Sequence, residues 1–196
     1  MIDFNIFLFD GFETLDVFGP VEIIGKLEEE YDLKFFSISG GTITSKQKTQ
    51  IVTQSVSDID FKGILFIPGG EGTRKLVNDE KAIRTLKKIA ESSKFCITVC
   101  TGTALLAKTG LINGVKATSN KRAFEWVKSI KPEVKWVYKA RWVRDSKYYT
   151  SSGVSAGMDM TLGFISDRFG KEKSKEIANR IEYVWNDDPE QDIFAL

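Results

Sequence analysis

Thr98-Val99-Cys100-Thr101-Gly102-Thr103-Ala104 closes an apolar, strand-like run, Phe95-Cys96-Ile97-Thr98-Val99, and opens a helix-like one. A thiol among small residues at a sharp strand-to-helix turn is how an α/β fold projects a nucleophile out of its sheet. Gly102 then lets backbone and substrate approach closely. The helix starting there turns unpaired N–H groups and its positive dipole end toward the sulfur. That arrangement is expected to lower a cysteine from its ordinary pKa of about 8.5. The competing reading makes Cys100 a buried, inert small hydrophobe. Cys96, inside the apolar run, fits that description; position relative to the turn assigns Cys96 to the core and Cys100 to chemistry.

Outward from this turn, the chain alternates short apolar runs with helical periodicity. Asn5 to Phe9 reads as a strand, Val17 to Glu30 as a helix, and Lys34 to Ser39 and Gly63 to Ile67 as further strands. A helix from about Asp79 to Ser92 precedes the strand that leads to Cys100. Nearly unbroken apolar strands suit a parallel sheet buried on both faces. The alternation predicts right-handed βαβ units: an α/β, flavodoxin-like, doubly wound and mostly parallel sheet with helices on both faces. Thr42 to Gln54, after Gly40-Gly41, reads as a small antiparallel hairpin. Trp136 to Ser151 is a second β-rich patch with a turn at Asp145-Ser146. Helices are expected at Ala156 to Phe169 and Glu172 to Trp185, separated by Gly170 as a C-terminal stop. From Asn186 onward no periodicity remains, as for an arm lying on the surface or across a partner.

Composition narrows the function classes. At 196 residues, with no Pro/Gly/Ser-rich divider, one domain spanning 1–196 is expected. Lys plus Arg (28) nearly balance Asp plus Glu (27) and are spread along the chain, which offers no electrostatic basis for nucleic-acid or membrane-surface binding. The start Met1-Ile2-Asp3-Phe4 lacks the features of a signal peptide, and no apolar stretch is long enough to span a bilayer. Both point to a cytoplasmic protein. Two cysteines four apart form neither a disulfide framework nor a zinc site. The chain has no histidine, which removes Ser-His-Asp triads, Cys-His pairs and nearly every catalytic zinc site. The base serving Cys100 is therefore a carboxylate, lysine, tyrosine or water.

Ligands in open α/β sheets bind beyond the carboxyl ends of the strands. Three loops leave such ends: Asp10 to Asp16, Pro68-Gly69-Gly70-Glu71-Gly72, and the Cys100 turn. Asp16 is read either as a helix N-cap or as a buried acid sharing a proton with Cys100. Glu22 competes for the acid role. Gly69-Gly70 would free backbone donors, the Gly70 and Thr101 N–H groups forming an oxyanion-type pocket. The Thr101 hydroxyl would position water or a substrate nitrogen, or serve only the helix start.

These segments resemble the ThiJ/PfpI superfamily of flavodoxin-like proteins, relatives of class I glutamine amidotransferase domains, over almost the whole chain. The resemblance rests on Phe9 to Asp16 with Gly19-Pro20-Val21-Glu22, Ile67 to Gly70, Val99 to Gly102, Leu105 to Gly114, and Ser152 to Asp159, in the family's order. PfpI-type peptidases carry a histidine after the cysteine, where this chain has Thr101. Cys-Thr-Gly with Leu-Asp-x-x-Gly-Pro is similar to the isonitrile hydratase branch, which converts R–N≡C and water to an N-substituted formamide. The resemblance implies Cys100, Asp16 and Thr101 as catalytic residues; Gly69, Gly70, Ser119 and Asn120 are the candidates for binding the oxyanion or substrate. Many relatives have a histidine in the segment matching Thr118 to Lys121, absent here. The implied chemistry passes through a thioimidate on Cys100 and uses no metal or organic cofactor. Superfamily members commonly form homodimers, for which the aromatics of Trp136 to Tyr149 offer a contact. Rival readings are a redox sensor with an oxidisable Cys100 and a glyoxalase or deglycase acting on methylglyoxal. The sensor half of a transcription regulator is set aside because no helix-turn-helix follows the core.

Overall fold

The computed structural model describes residues 1–195. In chain order its elements are β1 (Ile2–Phe7), α1 (Thr14–Ile24), β2 (Tyr31–Ser37), β3 (Gly41–Thr44), β4 (Gln50–Ser55), β5 (Ile64–Ile67), α2 (Thr73–Leu76), α3 (Glu80–Ser92) and β6 (Phe95–Thr98). They continue with α4 (Gly102–Lys108), β7 (Lys116–Ala117), α5 (Phe124–Ile130), β8 (Lys135–Trp136), β9 (Trp142–Asp145), β10 (Tyr148–Ser151), α6 (Ser155–Phe169) and α7 (Lys171–Arg180). Eight strands form one sheet in the order β3-β4-β2-β1-β5-β6-β10-β9, parallel from β4 to β10 with antiparallel strands at both edges. β7 and β8 make a separate two-stranded ladder.

Burial explains the sequence pattern. All four residues of β5 are buried, as a strand covered on both faces requires. One helical layer contains α1, α6 and α7; the other contains α2 to α5. α3 shows the amphipathic logic most clearly. Ala82, Leu86, Ile89 and Ala90 face the core, and Asp79 Oδ1 caps the helix by accepting from Ala82 N–H at 3.0 Å. β2 lies on one side of β1 and β5 on the other, so the connections reverse direction at β1. That switch point opens a crevice at the strands' carboxyl ends, where the loops after β1, β5 and β6 meet.

The α/β sheet, the 41–55 hairpin, the turn at Ser146 (φ +57°) and the stop at Gly170 (φ +90°) follow the sequence reading. Other boundaries differ for tertiary reasons. α1 starts at Thr14 and tightens into a 3-10 turn at 25–27, rather than running from Val17 to Glu30. α7 stops at Arg180 instead of reaching Trp185. Glu182 turns the chain (φ +52°) so that Tyr183 Oη donates to Asp159 Oδ1 and Trp185 Nε1 to Asp159 O. In the 136–151 patch, Trp136 pairs with β7 and Trp142, Tyr148 and Tyr149 are buried, while Tyr138 is exposed. Residues 187–195 lie on the chain's own fold, where Pro189 O accepts from Arg141 and Trp142 N–H. No helix among the described residues is long and apolar enough to cross a membrane.

Candidate active site

Cys100 sits between β6 and α4 with φ +57°, a left-handed conformation that costs a non-glycine residue on the order of 1–3 kcal/mol. Neighbours hold the strained turn on both sides. Cys100 N–H donates to Ser152 O (3.1 Å), and Ser119 Oγ donates to Cys100 O (2.7 Å). Gly102 is required by close approach, because a Cβ there would lie 2.4 Å from Ile67 O.

Asp16 reaches this turn from the third residue of α1. The helix begins before it, so it caps nothing; its Oδ2 instead accepts Gly69 N–H at 2.8 Å, across 53 residues of sequence. Oδ1 is buried with no hydrogen-bond partner, and the Cys100 thiol is the carboxyl's titratable neighbour. Burial pushes Asp16 up to about 7, with the Glu13 charge adding to the rise and the Gly69 and Cys100 hydrogen bonds opposing it. Gly69 makes the contact possible, since a Cβ there would lie 2.6 Å from Thr101 N and 2.8 Å from both Asp16 Oδ2 and Cys100 Cβ.

The thiol itself is not lowered. Burial, then the Asp16 charge, push Cys100 above the ordinary range, outweighing the Thr101 N–H, Thr101 hydroxyl and Val154 N–H that favour its thiolate. The helix-dipole expectation fails because Cys100 is only 7 % exposed and loses more hydration than those donors return. The resting pair is a thiol beside a half-ionised carboxyl. Cys96 is fully buried, donates to Ala90 O (3.5 Å), and is pushed up to about 12 by burial.

The remaining expected residues are placed as follows. Gly70 N–H does not point into the crevice; it donates to Thr101 Oγ1 at 3.0 Å, and Thr73 Oγ1 lies 3.1 Å from the same oxygen. Thr101 makes no side-chain cap. Ser119 braces the Cys100 carbonyl, and Asn120 caps the turn at 121–123 (Oδ1 from Ala123 N–H, 3.2 Å) while its amide packs against Gly153. Glu22 is 57 % exposed at its side chain and paired with Lys26, away from the site. Sequence reasoning missed Thr73, Ser152 and Val154. Val154 has φ +38° just before α6 and supplies the second backbone donor beside the sulfur, the place expected for Gly70. Among the described residues no group of three His, Cys, Asp or Glu side chains is placed to hold a metal ion.

Residues 4–167 match the DJ-1/PfpI family. An isonitrile hydratase of Pseudomonas putida is 25% identical over 187 residues, covering 93% of this chain and 79% of the relative. A deglycase of Thermococcus kodakarensis is 30% identical over 114 residues, 56% of this chain and 67% of its own. Among solved structures, a ThiJ/PfpI family protein from Pseudomonas syringae superposes with a TM-score of 0.84 at 24% identity, covering 94% of this chain and 76% of that one. Drosophila melanogaster DJ-1beta does so at 0.78 and 19%, covering 94% and 99%. Both structures share the fold.

Proposed function

This chain belongs to the DJ-1/PfpI family, and on that premise we propose that it is a cysteine-dependent enzyme hydrating an isonitrile to an N-substituted formamide. The observation carrying this reading is the buried Asp16 carboxyl, pushed up to about 7 beside the Cys100 thiol and with one oxygen left unpartnered, in a chain without histidine. A carboxyl with that pKa is about half ionised at neutral pH, so it both accepts and returns a proton there. The isonitrile hydratase relative, which matches most of both chains, supports the choice of substrate class.

In the proposed reaction the Asp16 carboxylate takes the S–H proton as sulfur adds to the terminal carbon of R–N≡C, then delivers it to that carbon. The product is a thioimidate, Cys100–S–CH=N–R. Water adds across C=N, its hydroxyl to carbon and its proton, relayed by Asp16, to nitrogen. The C–S bond then breaks as the hydroxyl proton passes through Asp16 to sulfur, releasing R–NH–CHO and the thiol. Thr101 and Val154 N–H groups stabilise charge on sulfur while it is transferred.

The deglycase relative favours a second reading, addition of the same thiol to the carbonyl of methylglyoxal or a glycated group. Purified protein is assayed against a panel of isonitriles and methylglyoxal, with Cys100→Ser as control. Formamide formation that disappears in Cys100→Ser is the expected result. Lactate from methylglyoxal, with no formamide from any isonitrile, replaces the first reading by the second.

A further inference from the structure

Beside the thiol site, two cations and two carboxylates are buried together. Arg141 donates through Nε to Asp159 Oδ2 (2.7 Å) and through its terminal nitrogen to the same oxygen. Lys121 Nζ donates to Thr118 Oγ1 (3.0 Å) and Ala140 O (2.6 Å). Asp192 comes from the 186–195 segment, yet its side chain is 1 % exposed. Its Oδ1 lies 3.5 Å from Arg141 Nη1 and accepts Phe194 N–H (3.1 Å), and its Oδ2 lies 3.9 Å from Lys121 Nζ. Asp192 N–H donates to Lys139 O (2.7 Å), fixing its backbone.

Each cation leads to a different side of Cys100. Arg141 O accepts Ser152 N–H (2.8 Å), and Ser152 O accepts Cys100 N–H; Arg141 Nη2 also reaches Ser155 Oγ (3.5 Å), beside Val154. Lys121 ends the segment in which Thr118 N–H bonds Thr150 Oγ1 (2.9 Å) and Ser119 Oγ bonds Cys100 O. We propose that Asp192 is a positioning residue, a shared counter-ion that ties the 118–121 and 152–155 loops together as the two walls bracing Cys100. Without its charge, two buried cations face one carboxylate, Asp159, and Lys121 has no counter-ion. Burial already pulls Lys121 down to about 8 against the pull of Asp192, so without that carboxylate the folded loop either holds an unpaired cation or gives up its proton; both cost stability where they lie, and the local response is for the Lys121 loop to open. The idea rests on Cys100 being the working centre, but its test reads the thiol rather than turnover.

Full-length wild type, Asp192→Asn and Asp192→Asn/Lys121→Met are treated with iodoacetamide, and alkylation is followed by mass spectrometry at Cys100 and Cys96 separately. Cys96 is fully buried on β6, an interior strand of the sheet, and reports global opening. In Asp192→Asn, Cys100 is expected to react roughly five-fold or more faster with Cys96 unchanged. The double variant, which removes cation and carboxylate together, is expected to return Cys100 to the wild-type rate. An unchanged Cys100 rate overturns the proposal, as does an equal rise at both cysteines. If Asp192→Asn does not fold, the double variant decides: folding with a wild-type Cys100 rate supports the shared counter-ion, and failure to fold overturns it.

Discussion

Asp16→Asn separates the stability of this protein from its chemistry. Burial raises the folded-state pKa from the ordinary 3.8 to about 7. The folded chain therefore binds its proton more tightly than the unfolded chain. Stability from this group is fully present below about pH 3.8 and is lost as pH rises through about 7. At 1.36 kcal/mol per tenfold, the whole displacement is on the order of 4 kcal/mol. Between about pH 5 and about pH 8 the wild type should lose roughly 2.5 kcal/mol of it. Asparagine keeps the shape, retains an oxygen for Gly69 N–H and does not titrate. Urea unfolding of both proteins across that range should show the variant gaining on the wild type by that amount, or by roughly 5–10 °C in Tm for a chain of this size. The variant should also be inactive, trading function for stability. Parallel stability profiles, or a variant less stable than the wild type at about pH 8, would refute the claim that a buried, half-ionised carboxyl faces the thiol.

Three further outcomes follow from the same geometry. The kcat/KM of the wild type should fall as pH drops through about 7, because the base must be ionised to take the thiol proton; a profile flat from about pH 5 to about pH 8 removes Asp16 from that role. Gly69→Ala forces a methyl into contacts of 2.6 and 2.8 Å with backbone, carboxylate and Cys100 Cβ. Overpacking of this kind costs about 1–3 kcal/mol, and turnover should fall further than stability does; chemical denaturation and the formamide assay read the two effects. Thr101→Val removes the acceptor of Gly70 N–H and the partner of Thr73 Oγ1, which should cost about 1–3 kcal/mol by urea titration.

The sheet was legible because its strands are short apolar runs between helical periods, and the elbow because a thiol and Gly102 follow such a run. Loops meeting at a switch point made Asp16 a candidate, and its contact with Gly69 over 53 residues brought it to Cys100. What the sequence hid was desolvation. Helix-end reasoning predicts a lowered thiol, but burial of the folded turn decides the direction, and a segment beyond residue 150, whose Ser152 O accepts Cys100 N–H, is part of that setting. Likewise, nothing local shows that Gly70 N–H is consumed by Thr101, or that Ser119 turns to the Cys100 carbonyl rather than the crevice. Both are hydrogen bonds between segments distant in sequence, and they override local turn chemistry. Residues 187–195 show no periodicity because their order comes from one buried carboxylate and a few backbone bonds rather than from a repeating apolar face.

Burial of the pair also weighs the oxidation reading against the hydration reading. Peroxide reacts with the thiolate, and susceptibility rises with thiolate character and exposure. Cys100 is 7 % exposed and its thiol is pushed up, so little thiolate is present before substrate arrives. An electrophile that adds sulfur and accepts the proton through Asp16 meets no such barrier, because removal of the proton accompanies bond formation. A chain without histidine obtains a base near neutrality by burying a carboxylate, and the same burial withholds the sulfur from reagents that need it already ionised. On the proposed reading, carbon electrophiles able to take up a proton as sulfur attacks, isonitriles among them, are the substrates this coupling would favour.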